Sequence, residues 1–532
     1  MSAADIIIVG GGHNGLVTAF YLAKWGFKPL VLEARSMAGG CVANEAFSPG
    51  FIAPLANALG PLRPSVVRDM GLSRTVEFLQ PDPRLVALNT DGRALVFSTD
   101  QNRTIESIRA LSPNDADRYP EFCDTLERLG RFLGQLLEMT PPDIDAPATG
   151  ELWGLLQTGR KFRSLGKSDA FRLLRWGPMA AADLVAEFFE TDLLQATLAA
   201  RGVFGTAQGP WSAGTGAVLL LNSAFDPAPG GGSLAVKGGP AALAAAMADA
   251  AAHAGAEIRT SSPVVRILVR DGRAAGVVLN DGTEITASAV ISNVDPRRTF
   301  LNLVDPVELD PGFLQKVRNY RARGTVAKVH LALRGLPGFN GVANPADLHG
   351  RIHIAPGIDY LEHSFDASKY GEIPAEPYLD VTIPSLSDPS LAPVGKHVLS
   401  AHVQFVPYRL AGDESWDGRR SALAQTVVST LEKFSPGIEP LIEAAQVLTP
   451  VDLESQYGLS GGQIYHGEPA LDQLFTMRPI LGYARYETPI EGLFLCGSGT
   501  HPGGGITGAS GQNAAREIRK HLARRPRTAR ST

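Results

Sequence analysis

Apolar residues recur along this chain in several different rhythms, and each rhythm predicts a different kind of element. Residues 6–9, Ile-Ile-Ile-Val, form a short unbroken run of β-branched side chains, which predicts a buried strand of a parallel sheet. From 13 to 25 the spacing becomes helical, with Leu16, Ala19, Phe20 and Ala23 on one face. Residues 30–32, Leu-Val-Leu, are a second apolar run that ends at Glu33. Strand, helix and strand in that order predict a βαβ unit. Helical spacing dominates from about 104 to 222, punctuated by Pro141, Pro142 and Pro147. An alanine-rich helix is predicted over 241–253. Strands follow over 264–269, 275–279 and 289–291, with turns at Asp271-Gly272 and Asp281-Gly282. The region from about 300 to 450 is mixed, with strand candidates that include 327–333 and 397–406. A last buried-strand run, 493–496, precedes a glycine cluster and a final helix, and the basic segment 523–532 is predicted to be disordered. No internal repeat is visible.

Composition narrows the class. A chain of 532 residues predicts two domains. With 44% hydrophobic and 19% charged residues and a net charge of −5, it reads as a soluble globular protein and not as a nucleic-acid binder. The cysteines, Cys41, Cys123 and Cys496, lie far apart, so there is no Cys-x-x-Cys dithiol, and no metal site is expected. This predicts a reducing, cytoplasmic setting. The chain opens Met1-Ser2-Ala3-Ala4-Asp5 and enters a strand at once, so no targeting peptide is expected. Apolar runs such as 6–9 and 218–221 are too short to span a bilayer.

The 57 glycines are concentrated in local clusters, as close backbone approach to a ligand requires. Gly10, Gly12 and Gly15 form Gly-x-Gly-x-x-Gly between the first strand and the first helix. Gly10 suits the tight turn, Gly12 lets backbone approach a pyrophosphate, and Gly15 lets helix and strand pack closely. The helix N-terminus then offers free N–H groups to the phosphates. Glu33, eighteen residues past Gly15, is placed to accept from ribose hydroxyls. Strand, helix and acid together favour a dinucleotide site over a bare glycine turn, with His13 and Asn14 shaping the loop. Glu33 continues into Ala34, Arg35 and then Gly39-Gly40, so Arg35 is a candidate contact for phosphate or the adenosine end. The second cluster lies at 496–511 and contains Gly497, Ser498, Gly504, Gly505, Ile506 and Gly508 between a strand and a helix. Its helix N-terminus is suited to stabilising a reduced, anionic ring. Thr500 and His501 are either loop residues or direct participants in the chemistry.

These motifs resemble the large FAD-dependent family that includes amine oxidases and phytoene desaturases. The Arg-x-x-x-Gly-Gly at 35–40, Gly238-Gly239, the Ser-Asn-Val-Asp-Pro at 292–296, the Gly-Gly-Gln-Ile-Tyr-His at 461–466, Leu471-Asp472-Gln473 and Met477-Arg478-Pro479 extend the likeness over nearly the whole chain. Within that family the chain resembles the phytoene desaturase-related branch, near the pyridine nucleotide-disulfide oxidoreductase domain-containing protein 2 type and the flavin-type carotenoid ketolases. It lacks the paired cysteines that the first name suggests, and Ser498 stands where most of the wider group has an acid for the ribityl chain. The resemblance implies an α/β fold: a Rossmann-type FAD-binding domain, glutathione reductase/amine oxidase-like, from 1–60, 235–300 and 450–522, and a mixed α+β substrate domain from 61–234 and 301–449. Val265 joins the expected FAD contacts.

The implied reaction is hydride transfer to flavin N5, dehydrogenating, desaturating or oxygenating an apolar, isoprenoid or carotenoid-like substrate. His466 is the candidate acid or base, with Arg478 as a second catalytic candidate that instead pairs with Asp472 or binds backbone. Tyr457 and Tyr465 either line the pocket or react. A single dinucleotide motif points to oxygen or a quinone as electron acceptor and not to bound NAD(P)H. Amine oxidation is the second enzymatic reading, and a non-catalytic carrier of lipidated partners is the alternative of another class. Residues 160–176 carry six cations against one acid, interleaved with Phe162, Phe171 and Trp176. That stretch is either a solvated basic helix or a peripheral membrane contact in which those aromatic rings insert.

Overall fold

The computed structural model describes residues 4–143, 149–412 and 414–524. The βαβ unit forms as its spacing predicts: strand Ala4–Val9, helix His13–Lys24 and strand Pro29–Leu32. Ala4–Val9 sits between two parallel neighbours, Pro29–Leu32 and Glu284–Ser292. Glu257–Arg259 extends one side of this sheet, and Leu493–Leu495 pairs with the far side of Glu284–Ser292. Because these strands are parallel, Val9, Leu32, Ser292 and Leu495 end at one edge, where open α/β sheets bind ligands. Glu284–Ser292 is longer than the expected 289–291 because it serves two partners. Its first half pairs antiparallel with Arg273–Leu279, and its second half runs parallel to Ala4–Val9.

The second sheet has seven strands in the spatial order Ile442–Leu448, Val326–Leu333, His397–Gln404, Leu379–Thr382, Arg351–Ile354, Leu85–Leu88 and Ala94–Phe97. Alternation along these strands gives the sheet two unlike faces. On one face Val329, Leu331, Leu399, Ala401, Val381 and Ile352 are buried against the helix Trp416–Phe434, through Leu423, Val427 and Leu431. The other face carries Lys328, His330, Ser400, His402, Asp380, Thr382, Arg351 and His353, and it is turned toward the cofactor-type sheet. A helical layer, including Pro113–Glu138, Asp192–Val203 and Thr215–Phe225, packs beside this sheet around Phe122, Leu194 and Leu219.

Two segments expected in the substrate half pack against the parallel-sheet half. Leu62, Val66, Met70, Leu72 and Val76 join the core under helix His13–Lys24, and Leu303, Leu309, Phe313 and Val317 pack beneath the parallel sheet. Both groups lie in segments assigned above to the substrate half. The last helix, Ala509–Arg524, runs into the segment expected to be disordered, and the rest of that segment lies outside the described residues. Residues 160–176 end one helix, Thr149–Ser164, and form another, Gly166–Trp176. Trp176, expected among the inserting aromatics, is instead buried in the core and donates to Glu187. Phe162 packs on Phe132, Phe171 is exposed, and Arg172 and Arg175 are ion-paired with Glu121 and Glu187. Among the described residues no helix is long and apolar enough to cross a membrane.

The two sheet faces predict opposite responses within one strand. Leu331→Ala opens a cavity in the apolar layer and costs about 2–5 kcal/mol. Lys328→Met replaces a buried amine by an apolar chain of similar size and is neutral or stabilising. Urea unfolding at matched flavin content checks both; a loss for Lys328→Met as large as that for Leu331→Ala would contradict the reading of the second face.

Candidate active site

The first glycine loop is held by its neighbours. Gly10 N–H donates to Leu32 O (2.8 Å) and Gly11 N–H to Glu33 Oε2 (2.7 Å), while Arg35 N–H donates to Glu33 Oε1 (2.8 Å). Glu33 is buried and lines the cleft, and each carboxylate oxygen keeps a lone pair for a ribose hydroxyl. The Arg35 guanidinium donates to Gly40 O (3.2 Å) and lies 4.4 Å over the Tyr457 ring, which fixes a cation at the cleft. Tyr457 itself is anchored by a hydrogen bond from its hydroxyl to Glu45.

The second loop meets the first through one side chain. Asn14 Nδ2 donates to Ser498 Oγ (3.0 Å), and Asn14 Oδ1 accepts from Gly511 N–H (3.1 Å). Arg478 organises the loop from behind. It is fully buried and donates to the carbonyls of Ser498 (2.7 Å), Tyr465 (2.9 Å), Gly467 (3.3 Å) and Gln473 (3.4 Å). Asp472 pairs with Arg321 instead (2.6 Å). Arg478 therefore clamps backbone, one of the alternatives named for it above, and does not line the cavity.

One cavity of about 450 Å³ connects both loops to the polar sheet face. Gly10, Gly12, His13, Asn14, Glu33, Ala34, Arg35, Gly40, Ser498, Gly504, Gly505, Ile506 and the candidate base His466 all line it. Gly15, Gly39, Gly497 and Gly508 lie behind its wall and shape it by packing. Val265 does not face it. The strand Val264–Arg270 has an irregularity between Val264 and Arg266, so Val265 turns to solvent and Val264 lines the cavity. His466 has a positive φ of 59° and a buried Nδ1 without a partner. Burial lowers its pKa, against the opposing pull of Asp295, and holds His13 down at about 4. Both imidazoles are neutral at pH 7.

The sequence reading missed the substrate-side wall. In register across four strands stand Lys328, His402, Asp380 and His353. Lys328 Nζ donates to Asn57 Oδ1 (2.5 Å) and Ser400 Oγ (2.7 Å), and with no carboxylate bonded to it burial pushes its pKa well down. Arg351 donates to Asp380 Oδ1 (3.3 Å) and Gly230 O (2.5 Å). Burial also holds His353 and His402 at about 4. The available signal was polar residues at every second position of the strands: Lys328 and His330, then Ser400, His402 and Gln404.

A glycine cleft at the carboxyl edge of a parallel sheet, completed by a second glycine loop and facing a cavity with neutral imidazoles, defines a flavoprotein oxidoreductase. The sequence pattern described as flavin containing amine oxidoreductase matches residues 15–519. The chain is 34% identical to pyridine nucleotide-disulfide oxidoreductase domain-containing protein 2 of Rattus norvegicus, over 97% of this chain and 94% of that one. It is 26% identical to the phytoene desaturase of Fusarium fujikuroi, over 94% and 86%. A solved oxidoreductase from Methanosarcina mazei aligns with a TM-score of 0.61 at 17% identity, over 97% and 99% of the chains, a likeness of fold alone. The chain belongs to the flavin-containing amine oxidoreductase family, and FAD is its cofactor.

The cleft leaves no room at Gly12, where an added Cβ would stand 2.9 Å from Asn293 Nδ2. Gly12→Val therefore yields folded protein without flavin, read as the 450 nm absorbance relative to protein after gel filtration. Full flavin occupancy in this variant would contradict the placement of the pyrophosphate.

Proposed function

We propose that the protein dehydrogenates a substrate with an apolar body: a C–H bond gives its hydride to the flavin, and a neighbouring C–H gives up a proton as the double bond forms. The observation that carries this reading is the single cavity running from the dinucleotide loop to the second sheet. Bound FAD supplies the two-electron acceptor. Leu55, Leu59, Leu85, Ala200, Phe204 and Phe225 give the substrate body its apolar walls. His466, neutral and with Nδ1 free, takes the proton. The relative named phytoene desaturase supports desaturation over oxygenation. Amine oxidation is the second reading, supported by the match to the pattern described as flavin containing amine oxidoreductase. A pure carrier would need neither of the flavin loops.

Oxygen or a quinone reoxidises the flavin, because among the described residues only the loop at Gly10–Gly15 joins the strand and helix of a βαβ dinucleotide unit, and FAD takes it. Anaerobic mixing with NADH or NADPH is expected to leave the flavin absorbance unbleached, and rapid bleaching would overturn this assignment. The cofactor is held without a covalent bond. Cys496 lies in the core behind the loop, with burial pushing its thiol up to about 12. Acid precipitation accordingly releases all the flavin into the supernatant, and colour retained in the pellet would contradict it.

A further inference from the structure

Two consecutive helices, Thr149–Ser164 and Gly166–Trp176, lean on the helix Pro113–Glu138. Phe162 packs on Phe132, and Thr158 donates to Met139 Sδ (3.5 Å) just past the end of that helix. Further along, Arg172 donates to Glu121 (2.9 Å) and Thr125 (3.4 Å), and Asp169 accepts from Arg128 (2.6 Å). Glu121, Thr125, Arg128 and Phe132 stand three or four residues apart, which puts them on one face of their helix. The two helices therefore lie end to end along that face, and both turn their outer sides away from it.

The outer sides form one strip of unusual composition. Trp153, Leu156, Arg160 and Arg163 follow helical spacing opposite Thr158 and Phe162, and Lys167, Phe171 and Leu174 do so opposite Asp169 and Trp176. Trp153, Leu156, Phe171 and Leu174 are 56%, 60%, 61% and 65% exposed. Single exposed apolar residues are ordinary, but four large ones along one strip mark a surface that something covers. Charge says what. Arg160, Lys161, Arg163 and Lys167 are exposed, and among the described residues none of them has an ion-pair partner. Arg172 and Arg175 are paired, and Asp169, the one acid of the stretch, is buried against Arg128. Four uncompensated cations thus gather here on a chain whose net charge is −5.

We propose that this strip docks the protein on an anionic lipid surface. Trp153, Leu156, Phe171 and Leu174 enter the boundary between headgroups and acyl chains, while Arg160, Lys161, Arg163 and Lys167 meet the lipid anions. Exposed apolar side chains flanked by unpaired cations match a surface that is charged outside and apolar just beneath. A second copy of this chain would set the same cations against one another. An acidic protein would answer the cations and leave the apolar side chains in water. Of the rings expected from the sequence to insert, Phe171 keeps that role, Phe162 and Trp176 pack inward, and Trp153 joins from the preceding helix. The inference goes beyond the dehydrogenase reading and does not depend on it.

The test is co-sedimentation of the FAD-loaded protein with two kinds of vesicle, phosphatidylcholine alone and phosphatidylcholine with phosphatidylserine at about 2:1. Each is run at low salt and at about 1 M NaCl, where the Debye length falls to about 3 Å. Binding is expected only to the vesicles that contain phosphatidylserine, and it should weaken about tenfold or more at high salt. Phe171→Ser with Leu174→Ser should weaken it about tenfold. Arg160→Gln, Lys161→Gln, Arg163→Gln and Lys167→Gln together should weaken it about a hundredfold or more. Arg160→Lys with Arg163→Lys keeps the charge and should bind as the parent does, which separates loss of charge from damage to the helices. Parent protein left in the supernatant at low salt, equal binding to both vesicles, or unchanged binding in the serine and glutamine variants would overturn the proposal. So would a parent that sediments as a dimer where the serine variant is monomeric, since a second copy would then cover the strip.

Discussion

The architecture depends on a crossing where three backbone segments meet with no space for a side chain. Asn293, just past the end of the central strand Glu284–Ser292, donates from its backbone to Val9 O (2.9 Å) and from Nδ2 to Gly10 O (3.1 Å). A Cβ on Gly15 would fall 2.4 Å from Gly10 O, and one on Gly497 would fall 2.5 Å from Asn293 O. Interiors packed to crystal-like density do not absorb such overlaps. The N-terminal and C-terminal glycine loops can therefore face one cofactor only because this junction is stripped to backbone. Asn14, bonded to Ser498 and Gly511, then locks the two loops together.

From that junction outward, the molecule trades stability for a prepared site. The seven-stranded sheet buries aliphatic side chains on one face, as any sheet must to hold a helix against it. Its other face carries an amine, a guanidinium, a carboxylate and three imidazoles in a low-dielectric wall. Their partners are few and fixed, so little reorganisation is needed when charge develops nearby, the condition under which electrostatic catalysis works best. The depressed pKa values of His353, His402 and Lys328 show the cost, since burial disfavours the charged form of each.

Much of the cofactor half was legible in the sequence because its signals are local. A β-branched run, three glycines at fixed spacing and an acid at the next strand end are each set by neighbours along the chain, and their elements form within a residue or two of expectation. The substrate wall was not legible, because Lys328, His353, Asp380 and His402 come from four strands whose adjacency is a property of the sheet. Their alternation with apolar neighbours signalled a two-faced strand but not which face met the flavin. Arg478 illustrates a different limit: no sequence feature distinguishes an arginine that meets substrate from one that binds carbonyls. At Val265 a single irregularity in pairing reversed the side chain. Segments 62–76 and 303–317, expected in the substrate half, carry apolar residues that pack into the cores of the parallel-sheet half, a contact that no local signal announces.

The central claim is that the flavin lies between the two glycine loops on one side and the polar sheet face on the other. A crystal structure of the FAD-loaded protein tests it most directly. The account predicts electron density for the pyrophosphate at Gly10–Gly12 and for the isoalloxazine ring between the Ser498–Ile506 loop and the row from Lys328 to His353. Density that places the ring away from that row, or a sheet face closed over by protein side chains once FAD is bound, would contradict it.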